Sequence, residues 1–466
     1  MAKLHMTRAR PRTGEVILDA MTKRTFMRRC GAALAGAWLT PLRHLAAGAK
    51  MTNWAGNITY SSEELYEATN LSAVQDYVKA HERMKVLGTR HCFNRIADST
   101  DRFIAVRGFN EVAIDAAART ATMGAGITYG QLAPMLHEKG FALHNLASLP
   151  HISVGGSIST GTHGSGETNG NLSSAVSAIE FVTASGELLR LSRAKDESFQ
   201  GAVVGLGALG VTTRITLDLQ PTYIMRQHVY ENLPLAELTR NFDAIQASGY
   251  SVSLFWDWQR SRINEVWIKS RLDAAKPFDA PTRFYGATRA TKNLHPIAEL
   301  SAENCTDQLG LEGPWYERLP HFKMGFMPSA GKELQTEYFV PRPNAVDAIL
   351  AVERLRDHVS PHLFITEIRT IAADDLWMSP VYKQDCIAIH FTWKPEMDAV
   401  RRLMPQVERA LAPYRARPHW GKLFTVAPST LRSIYTKLPE FVALAKRYDP
   451  QGKFRNAFLN QNVFTA

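Results

Sequence analysis

Two short segments of the sequence carry polar side chains at every second position. In FITEIRT, Glu367 and Arg369 lie two residues apart, and in CIAIHFTW the same spacing separates His390 from Thr392. Side chains at alternate positions of a β-strand point to the same face. If both segments are strands of one sheet, we expect these four groups to converge on one cavity. The apolar positions between them predict a face packed on a core, formed in the second segment by Ile387, Ile389, Phe391 and Trp393.

Lys422, in the segment HWGK, adds a second cation to this set. Together the side chains offer a base, cations that stabilise negative charge developing on an oxygen, and acceptors for hydroxyl groups. The spacing alone leaves simpler interpretations open. Glu367 and Arg369 could form a solvated ion pair, His390 could be a structural histidine, and Lys422 could lie on the surface.

Residues 155–170 read GGSISTGTHGSGETNG and contain six glycines among serines and threonines. Glycine lets successive backbone N–H groups converge on an anion, so we predict a loop that binds a pyrophosphate. No Gly-Lys-Ser/Thr follows, which excludes a P-loop. A flexible surface loop is the alternative, and it is less favoured because the flanking segments have the patterns of regular structure.

A second glycine-rich segment, GLGALG at residues 205–210, matches the dinucleotide-binding pattern literally. That pattern must open a helix, whereas the following VTTRITLDL alternates like a strand. We therefore predict a tight approach to a strand here, and no nicotinamide site.

GTRHCFN, residues 88–94, places His91 in a turn after the apolar pair Val86 and Leu87. A histidine in a turn is usually a surface or hydrogen-bonding residue. Together with ASLPHISVGGSISTGTHGSG and ARPHWGK, however, this motif resembles the vanillyl-alcohol-oxidase type of FAD-linked oxidoreductase, and within it the alditol oxidases. The resemblance runs from Thr52 to about Phe458 and includes the phrases TNWAGNITY and EIRT.

The resemblance implies an α+β fold with a two-part FAD-binding domain of the vanillyl-alcohol-oxidase (PCMH) type and an α+β substrate cap domain. We expect a leader at residues 1–50, the FAD-binding domain at 51–220 and the cap at 221–415. A C-terminal segment, residues 416–466, would complete the FAD-binding domain.

Local patterns agree with short strands and helices alternating up to about Leu219. Apolar spacing predicts helices at Ser72–Lys79 and Tyr129–Lys139. Strands and hairpins are predicted at Val86–Leu87, Phe103–Val106, Val112–Asp115, Ala121–Gly124, Ile179–Thr183 and Leu188–Ser192. Beyond Pro221 the strands become aromatic, as in SVSLFWDW and EVWIKS.

In this family the first loop wraps the FAD, and its histidine bonds covalently to the flavin 8α-methyl carbon. The resemblance gives that role to His91. It implies FAD contacts from Val86, Leu87, Gly88, Thr89, Arg90, His91, Cys92, Ser148, Ser153, Gly156, Thr160, Gly161, Thr162, His163 and His419. The chain departs from the family at Arg90 and Cys92, where Gly and Ser are typical. Arg90 either binds a phosphate or weakens the match, and we expect no second flavin link from Cys92.

The implied reaction is oxidation of the primary alcohol of a sugar alcohol, such as xylitol or sorbitol, to an aldose. Hydride would pass to flavin N5, and O2 would reoxidise the flavin and give H2O2. The implied catalytic residues are Glu367, Arg369, His390 and Lys422, with His390 as the base. The implied substrate-binding residues are Ser148, Glu367, Arg369, Thr392 and Lys422.

Three alternatives remain open at this stage. An aldonolactone oxidase or dehydrogenase would share the HWGK ending. A polyol dehydrogenase would use an acceptor other than O2, although the small Ala147 beside Ser148 leaves room for O2 near a flavin. A flavin-free binding protein is favoured only by the departure at Arg90.

The charge distribution argues against nucleic acid as a partner. The net charge is +10, but residues 1–50 hold ten basic and two acidic residues, which leaves 44 basic and 42 acidic residues for the remainder. A nearly neutral body does not form a nucleic-acid groove. The four cysteines form no CxxC or Cys/His cluster, so we expect no metal site. No apolar run reaches the length of a membrane span, so we expect no stable membrane insertion.

The basic leader has the parts of an export signal. Thr22–Arg28 is charged, CGAALAGAWLTPL is mildly apolar, and Ala47-Gly48-Ala49 is a small-residue cleavage pattern. The stretch resembles a twin-arginine signal with Lys23 in place of the first arginine. We expect a periplasmic protein that begins near Lys50 if the leader functions, and a cytoplasmic one otherwise.

Overall fold

The structure is a computed structural model of the chain, and it describes residues 50–326 and 333–464. The predicted leader, apart from Lys50, lies outside the described residues. Residues from Met51 onward form one compact unit. No helix in the described ranges is long and apolar enough to cross a membrane.

The first half of the chain forms short strands and helices in alternation. The strands are β1 Leu65–Glu67, β2 Lys85–Val86, β3 Phe103–Ala105, β4 Val112–Asp115, β5 Thr120–Gly124, β6 Phe141–Ala142, β7 Val176–Val182, β8 Leu188–Ser192, β9 Val211–Asp218 and β10 Gln220–Pro221. The helices are α1 Leu71–Ala80, α2 Tyr129–Glu138, α3 Val154–Ser159 and α4 Phe199–Ala202. Short 3-10 turns lie at Arg95–Ala97 and Leu172–Ala175.

The second half begins with long strands. These and the later strands are β11 Ile224–Pro234, β12 Ser251–Trp256, β13 Arg262–Arg271, β14 Arg283–Phe284, β15 Ala287–Arg289, β16 Gly313–Pro314, β17 Leu334–Pro341, β18 Leu363–Ile371, β19 Cys386–Trp393 and β20 Arg417–Pro418. The helices are α5 Leu235–Gln246, α6 Ala345–Glu353, α7 Arg356–Val359, α8 Met397–Leu411, α9 Pro428–Ile434, α10 Leu438–Tyr448 and α11 Ala457–Leu459. A π-helix, Asn460–Phe464, follows α11.

The strands of the first half form two main sheets. One is a small parallel sheet in the order β1-β3-β2, and the other is antiparallel in the order β4-β5-β9-β7-β8. The glycine-rich segment begins in α3 and ends just before the 3-10 turn that leads into β7, so it is held between packed elements. Most of the strands and both helices predicted in this half are present, with ends shifted by a few residues.

The second half is built on one ten-stranded sheet, in which β18, β19 and β17 are neighbours. One face of this sheet packs against α5, α6 and α8 in a single hydrophobic core. That core contains the four apolar residues predicted from the alternation of CIAIHFTW, namely Ile387, Ile389, Phe391 and Trp393. The polar residues that alternate with them therefore lie on the opposite face, as predicted.

The C-terminal helices join the core of the first half. Leu431 of α9 and Phe441 of α10 are buried in the same cluster as Val74 of α1 and Leu132 of α2. The domain boundaries at residues 220 and 415 nevertheless stay predictions, because the described chain from Met51 onward is one compact unit.

Two features of the glycine-rich regions were tested directly. The prediction of a loop throughout residues 155–170 is wrong at its start, where Val154–Ser159 forms a short helix. Its apolar residues Val154 and Ile158 are fully buried, and their packing favours the helix over an open loop. The prediction that GLGALG leads into a strand is confirmed, because Val211–Asp218 is a strand.

Candidate functional site

The loops of the first half and the polar face of the large sheet enclose one cavity of about 430 Å³. Every residue predicted for the site lines this cavity except Gly161. Gly161 has φ +70°, and a Cβ there would lie 2.9 Å from Cδ of Pro380. Its position is therefore explained by backbone conformation and packing.

The first loop leaves β2 and turns sharply into the cavity wall. Arg90 has φ +62°, in the left-handed region that favours glycine, which gives a physical reason for the glycine typical of the family. The strand-like segment before β1 holds the turn, because Trp54 N donates to Arg90 O at 2.8 Å. The guanidinium of Arg90 donates to Thr52 O at 3.1 Å.

His91 projects from this turn into an aromatic surrounding. Its ring lies 4.7 Å from the Trp54 ring and 5.1 Å from the His151 ring, centroid to centroid. Its Nδ1 is buried and has no hydrogen-bond partner in the described part of the chain. Burial, followed by the nearby Lys422 charge, holds the pKa of His91 well below its usual value. The imidazole is therefore neutral and has an unused nitrogen, which fits a covalent bond to a flavin.

Cys92 lies in the same turn but lacks these properties. Burial raises the pKa of the Cys92 thiol to about 11, so the nucleophilic thiolate is scarce at neutral pH. A Cβ added to Gly421 would lie 3.3 Å from its sulfur, so the thiol packs against the HWGK segment.

Two glycines of the second segment line the cavity where side chains do not fit. A Cβ on Gly155 would come within 2.9 Å of Ala125 O, and one on Gly156 within 2.9 Å of Ser153 Oγ. A Cβ on Gly88 of the first loop would lie 3.1 Å from the same Oγ. The first loop and the start of α3 thus approach each other closely and leave an open cradle, which suits an extended dinucleotide.

Three neighbouring strands form the opposite wall. Glu367 of β18 lies directly across from His390 of β19, and His390 lies directly across from Glu337 of β17. Arg369, one step along β18 on the same face, joins the row. Its Nη2 donates to Glu337 Oε1 at 3.0 Å, and its Nε lies 3.5 Å from Glu367 Oε1. Nη1 donates to Ser148 Oγ at 3.3 Å, which links the sheet to the first half of the chain.

His390 lies between a hydroxyl group and a carboxylate. Its Nε2 lies 3.2 Å from Thr392 Oγ1, and its Nδ1 lies 3.4 Å from Glu337 Oε2. Burial lowers the pKa of His390, although the Glu337 carboxylate opposes the shift. The imidazole is therefore unprotonated at neutral pH and can accept a proton.

Lys422 and His419 close the cavity from the HWGK segment. The Lys422 ammonium donates to Gln335 Oε1 and lies 4.9 Å from the centroid of the Phe93 ring. Burial lowers the pKa of Lys422 below the ordinary lysine value. His419 accepts a hydrogen bond from Gly421 N on Nδ1 at 3.0 Å, and burial lowers its pKa to about 3.

The sequence did not reveal two partners of these side chains, Glu337 in the wall and His321 beside it. Glu337 is 2% exposed and bonds to both Arg369 and His163, and His321 Nε2 lies 2.7 Å from Glu367 Oε1. The alternation of Gln335 and Glu337 in LQTEYFVP is the same signal that revealed Glu367 and Arg369. No local pattern pointed to His321, which lies in an irregular segment.

His163, Glu337 and His419 also bring three potential metal ligands within 4.8 Å of one another. Arg369 and His163 already bond to the Glu337 carboxylate. A cation in this position would have to displace the guanidinium.

Comparison with known proteins agrees with this geometry. Residues 66–192 match the model of the FAD binding domain, and residues 326–462 match the D-arabinono-1,4-lactone oxidase model. Alditol oxidase from a Streptomyces species is 46% identical over 413 residues, which are 88% of this chain and 98% of that protein. The chain belongs to the alditol oxidase family of FAD-linked oxidoreductases. It is accordingly an FAD-dependent oxidoreductase, and the cradle between the two loops fits that cofactor.

Other members of the wider group are more distant. L-gulono-1,4-lactone dehydrogenase of Mycobacterium tuberculosis is 26% identical, over 87% of this chain and 97% of that protein. L-gulonolactone oxidase of Bos taurus is 27% identical, over 90% and 99%. A solvent-stable cholesterol oxidase structure covers 91% of this chain and all of its own, with a TM-score of 0.73 at 16% identity, which supports the α+β fold.

Proposed function

We propose that this member of the family oxidises the primary hydroxyl of an acyclic sugar alcohol to an aldose and that O2 is the electron acceptor. The observation that carries the proposal is the position of Arg369. Its guanidinium lies between two carboxylates and reaches Ser148, in the same cavity as the unpartnered Nδ1 of His91. Such a wall binds and polarises hydroxyl groups.

The FAD supplies the hydride acceptor when it is bound. Gly88, Ser153, Gly155 and Gly156 would hold it through the cradle between the loops, and His91 would attach it covalently. This covalent bond would prevent loss of the cofactor.

The described side chains supply the proton chemistry. Negative charge grows on the substrate oxygen as the hydroxyl proton is removed, and the cations of Arg369 and Lys422 stabilise this charge before hydride leaves the carbinol carbon. The neutral imidazole of His390 takes the hydroxyl proton. Removing the proton and stabilising the oxygen are both favoured because these groups are preorganised in a buried wall.

Neighbouring hydroxyls of the substrate would be held by acceptors along the same wall. Glu367, Thr392 and Ser148 all line the cavity. A chain of adjacent hydroxyl groups matches a row of polar side chains on neighbouring strands. An aldonolactone is less favoured, because the lactone-converting relatives are much less similar than the alditol oxidase.

The test is anaerobic mixing of the purified protein with xylitol or sorbitol, and separately with an aldonolactone, while the visible flavin absorbance is followed. We expect bleaching by the sugar alcohols and recovery of the colour with release of H2O2 when O2 is admitted. Bleaching by the lactone alone would refute the proposed substrate. Recovery only with a quinone or dye would refute the proposed acceptor.

Export through the leader at residues 1–50 is a separate proposal, supported by its charged, apolar and small-residue parts. N-terminal sequencing of protein from periplasmic and cytoplasmic fractions tests it. A mature N-terminus near Lys50 in the periplasm is expected. An intact Met1 in the cytoplasm alone would contradict it.

A further inference from the structure

Glu367 has a buried partner outside the wall described above. Nε2 of His321 lies 2.7 Å from Glu367 Oε1, and both side chains are buried. The His321 ring stands edge-on to the rings of Phe255 and Trp267, with centroid distances of 5.4 Å in each case. The imidazole is therefore fixed in place by packing as well as by its hydrogen bond.

Lys269 approaches the other nitrogen of this imidazole. Its Nζ lies 2.5 Å from Leu319 O, 3.0 Å from Pro320 O and 3.1 Å from Nδ1 of His321, and the residue is 1% exposed. An ammonium has three N–H donors and no acceptor. While Lys269 is charged, three acceptors thus match its three donors, and Nδ1 must accept.

This count determines where the protons lie in the hydrogen-bonded series of Lys269, His321 and Glu367. With Nδ1 accepting, the neutral imidazole carries its proton on Nε2 and donates it to Glu367. Burial raises the Glu367 pKa, but Arg369, whose Nε lies 3.5 Å from the same oxygen, and the hydrogen bond from His321 outweigh it and hold the pKa well below its usual value, so Glu367 is a carboxylate. Burial lowers the pKa of His321 to about 4, which also favours the neutral ring.

The arrangement leaves one oxygen of Glu367 for a ligand. Oε1 accepts the hydrogen bond from His321 and lies 3.5 Å from Arg369 Nε, whereas Oε2 has no hydrogen-bond partner among residues 50–326 and 333–464. Since Glu367 lines the cavity, Oε2 is available to accept a hydrogen bond from a substrate hydroxyl.

We infer that His321, held in one tautomer by Lys269, is a positioning residue that keeps Glu367 ionised and oriented toward the substrate. The inference rests on the proposed function for its substrate, but its tautomer claim does not. It gives a role to His321 and Lys269, neither of which lies on β17, β18 or β19. Lys269 acts through His321, and His321, which also lines the cavity, acts through its hydrogen bond to Glu367.

The first experiment reads the tautomer directly in the flavin-loaded protein. Nitrogen NMR of protein labelled with 15N-histidine, assigned with His321→Gln, is recorded on the acid side of pH 7, where Lys269 keeps its charge, since burial lowers the Lys269 pKa to about 7. We expect a neutral His321 with its proton on Nε2, and loss of this single form in Lys269→Met. A proton on Nδ1, or on both nitrogens, would overturn the inference.

The second experiment compares two replacements of His321 in the reaction with a sugar alcohol. His321→Gln keeps an N–H donor at the position of Nε2, whereas His321→Leu removes it. We expect kcat/KM to fall about tenfold to a hundredfold in the Leu variant, as for loss of a hydrogen bond to a charged group, and to be largely retained in the Gln variant. In the profile of kcat/KM against pH, the acid limb should move to higher pH only in the Leu variant, because the Glu367 carboxylate loses a hydrogen-bond donor that stabilises it.

Thr306→Val is the matched control. Thr306 Oγ1 donates to Pro320 O at 2.9 Å, so the variant disturbs the same segment without touching Glu367. An equal loss in all three variants with an unmoved acid limb would show a structural role and overturn the inference. If none of the sugar alcohols reduces the flavin of the wild-type protein, the proposed function fails. The NMR result still decides the tautomer of His321 in that case.

Discussion

Glu337 Oε1 accepts hydrogen bonds from Arg369 Nη2 and His163 Nε2, each at 3.0 Å. The carboxylate is 2% exposed and also lies directly across the sheet from His390. One buried charge therefore orients a guanidinium from β18 and an imidazole from the glycine-rich segment, and it faces the base on β19. The polar wall depends on this carboxylate as much as on the groups that would touch a substrate.

Replacing Glu337 by Gln should impair both stability and turnover. The variant leaves the Arg369 guanidinium buried without its counter-charge, and breaking a buried ion pair costs about 3–5 kcal/mol. We expect the free energy of unfolding to fall by about this amount in denaturant titrations, and flavin reduction to slow. Glu408→Gln is the control, because Glu408 accepts from the Tyr338 hydroxyl on the other face of β17. Equal effects of the two variants would argue against the special role of Glu337.

The same variant should change the pH dependence of stability. Burial alone would raise the Glu337 pKa, but His163 and His390 outweigh it and hold the pKa well below its usual value. The stabilisation is therefore complete above the unfolded glutamate pKa of about 4.3 and is lost as the pH falls through the folded value. Wild type and Glu337→Gln should differ most near neutral pH and converge in acid. Parallel unfolding curves across the acid range would contradict this.

Arg369→Ala should abolish most of the activity with sugar alcohols. The guanidinium stabilises the oxygen from which the proton leaves, and loss of one such donor costs about a hundredfold to a thousandfold in kcat. Single-turnover flavin reduction under anaerobic conditions measures the effect without interference from reoxidation. Because Arg369→Ala also leaves Glu337 and Glu367 as adjacent buried carboxylates, Arg369→Lys is the companion variant. Full retention of turnover in both would exclude the proposed role.

His91→Ala should release the cofactor. The unpartnered Nδ1 of His91 is the atom available for a covalent bond, and the cradle between the loops would remain. We expect wild-type flavin to stay in the acid-precipitated pellet on a peptide that contains His91, and the variant's flavin to pass into the supernatant. The comparison is His151→Ala, which changes a neighbouring ring that forms no hydrogen bond with residues 50–326 or 333–464. Flavin in the wild-type supernatant would show that the cofactor is not covalently bound.

The sequence predicted those parts of the wall that obey a local period. Glu367, Arg369, His390 and Thr392 alternate with apolar residues, and a strand converts that alternation into one polar face. Strand β17 obeys the same rule, but its polar Thr336 and aromatic Tyr338 occupy the intervening positions and blur the alternation. Glu337 was missed for that reason.

The rest of the site depends on contacts between distant parts of the chain. His321 reaches Glu367 across 46 positions and Lys269 across 52, from a segment without regular structure. Periodicity carries no information about such contacts. The left-handed backbone of Arg90 was equally hidden, because arginine rarely adopts that conformation and only the family's glycine hinted at it.

Lys422 should set the alkaline limb of the reaction. Burial lowers its pKa, so the cation is lost at a lower pH than for an exposed lysine, whose pKa is about 10.4. Because the cation is needed to stabilise the developing alkoxide, kcat/KM should fall as the pH rises through this lowered value. In Lys422→Arg the charge persists, and the limb should move to higher pH even if the maximum is reduced. Identical limbs in the two pH profiles would assign the limb to another group.

Replacing Arg90 tests whether the first loop, residues 88–94, carries backbone strain. With φ +62° a side chain costs about 1 kcal/mol relative to glycine, while the Arg90 guanidinium regains part of this through Thr52 O. Arg90→Ala keeps the strain and loses the hydrogen bond, whereas Arg90→Gly loses both. We therefore expect the Gly variant to be more stable than the Ala variant by about 1 kcal/mol in thermal or denaturant unfolding, with flavin attachment unchanged in both. Release of flavin by the Gly variant would instead indicate that the arginine itself holds the dinucleotide, which would make the departure from the family a functional one.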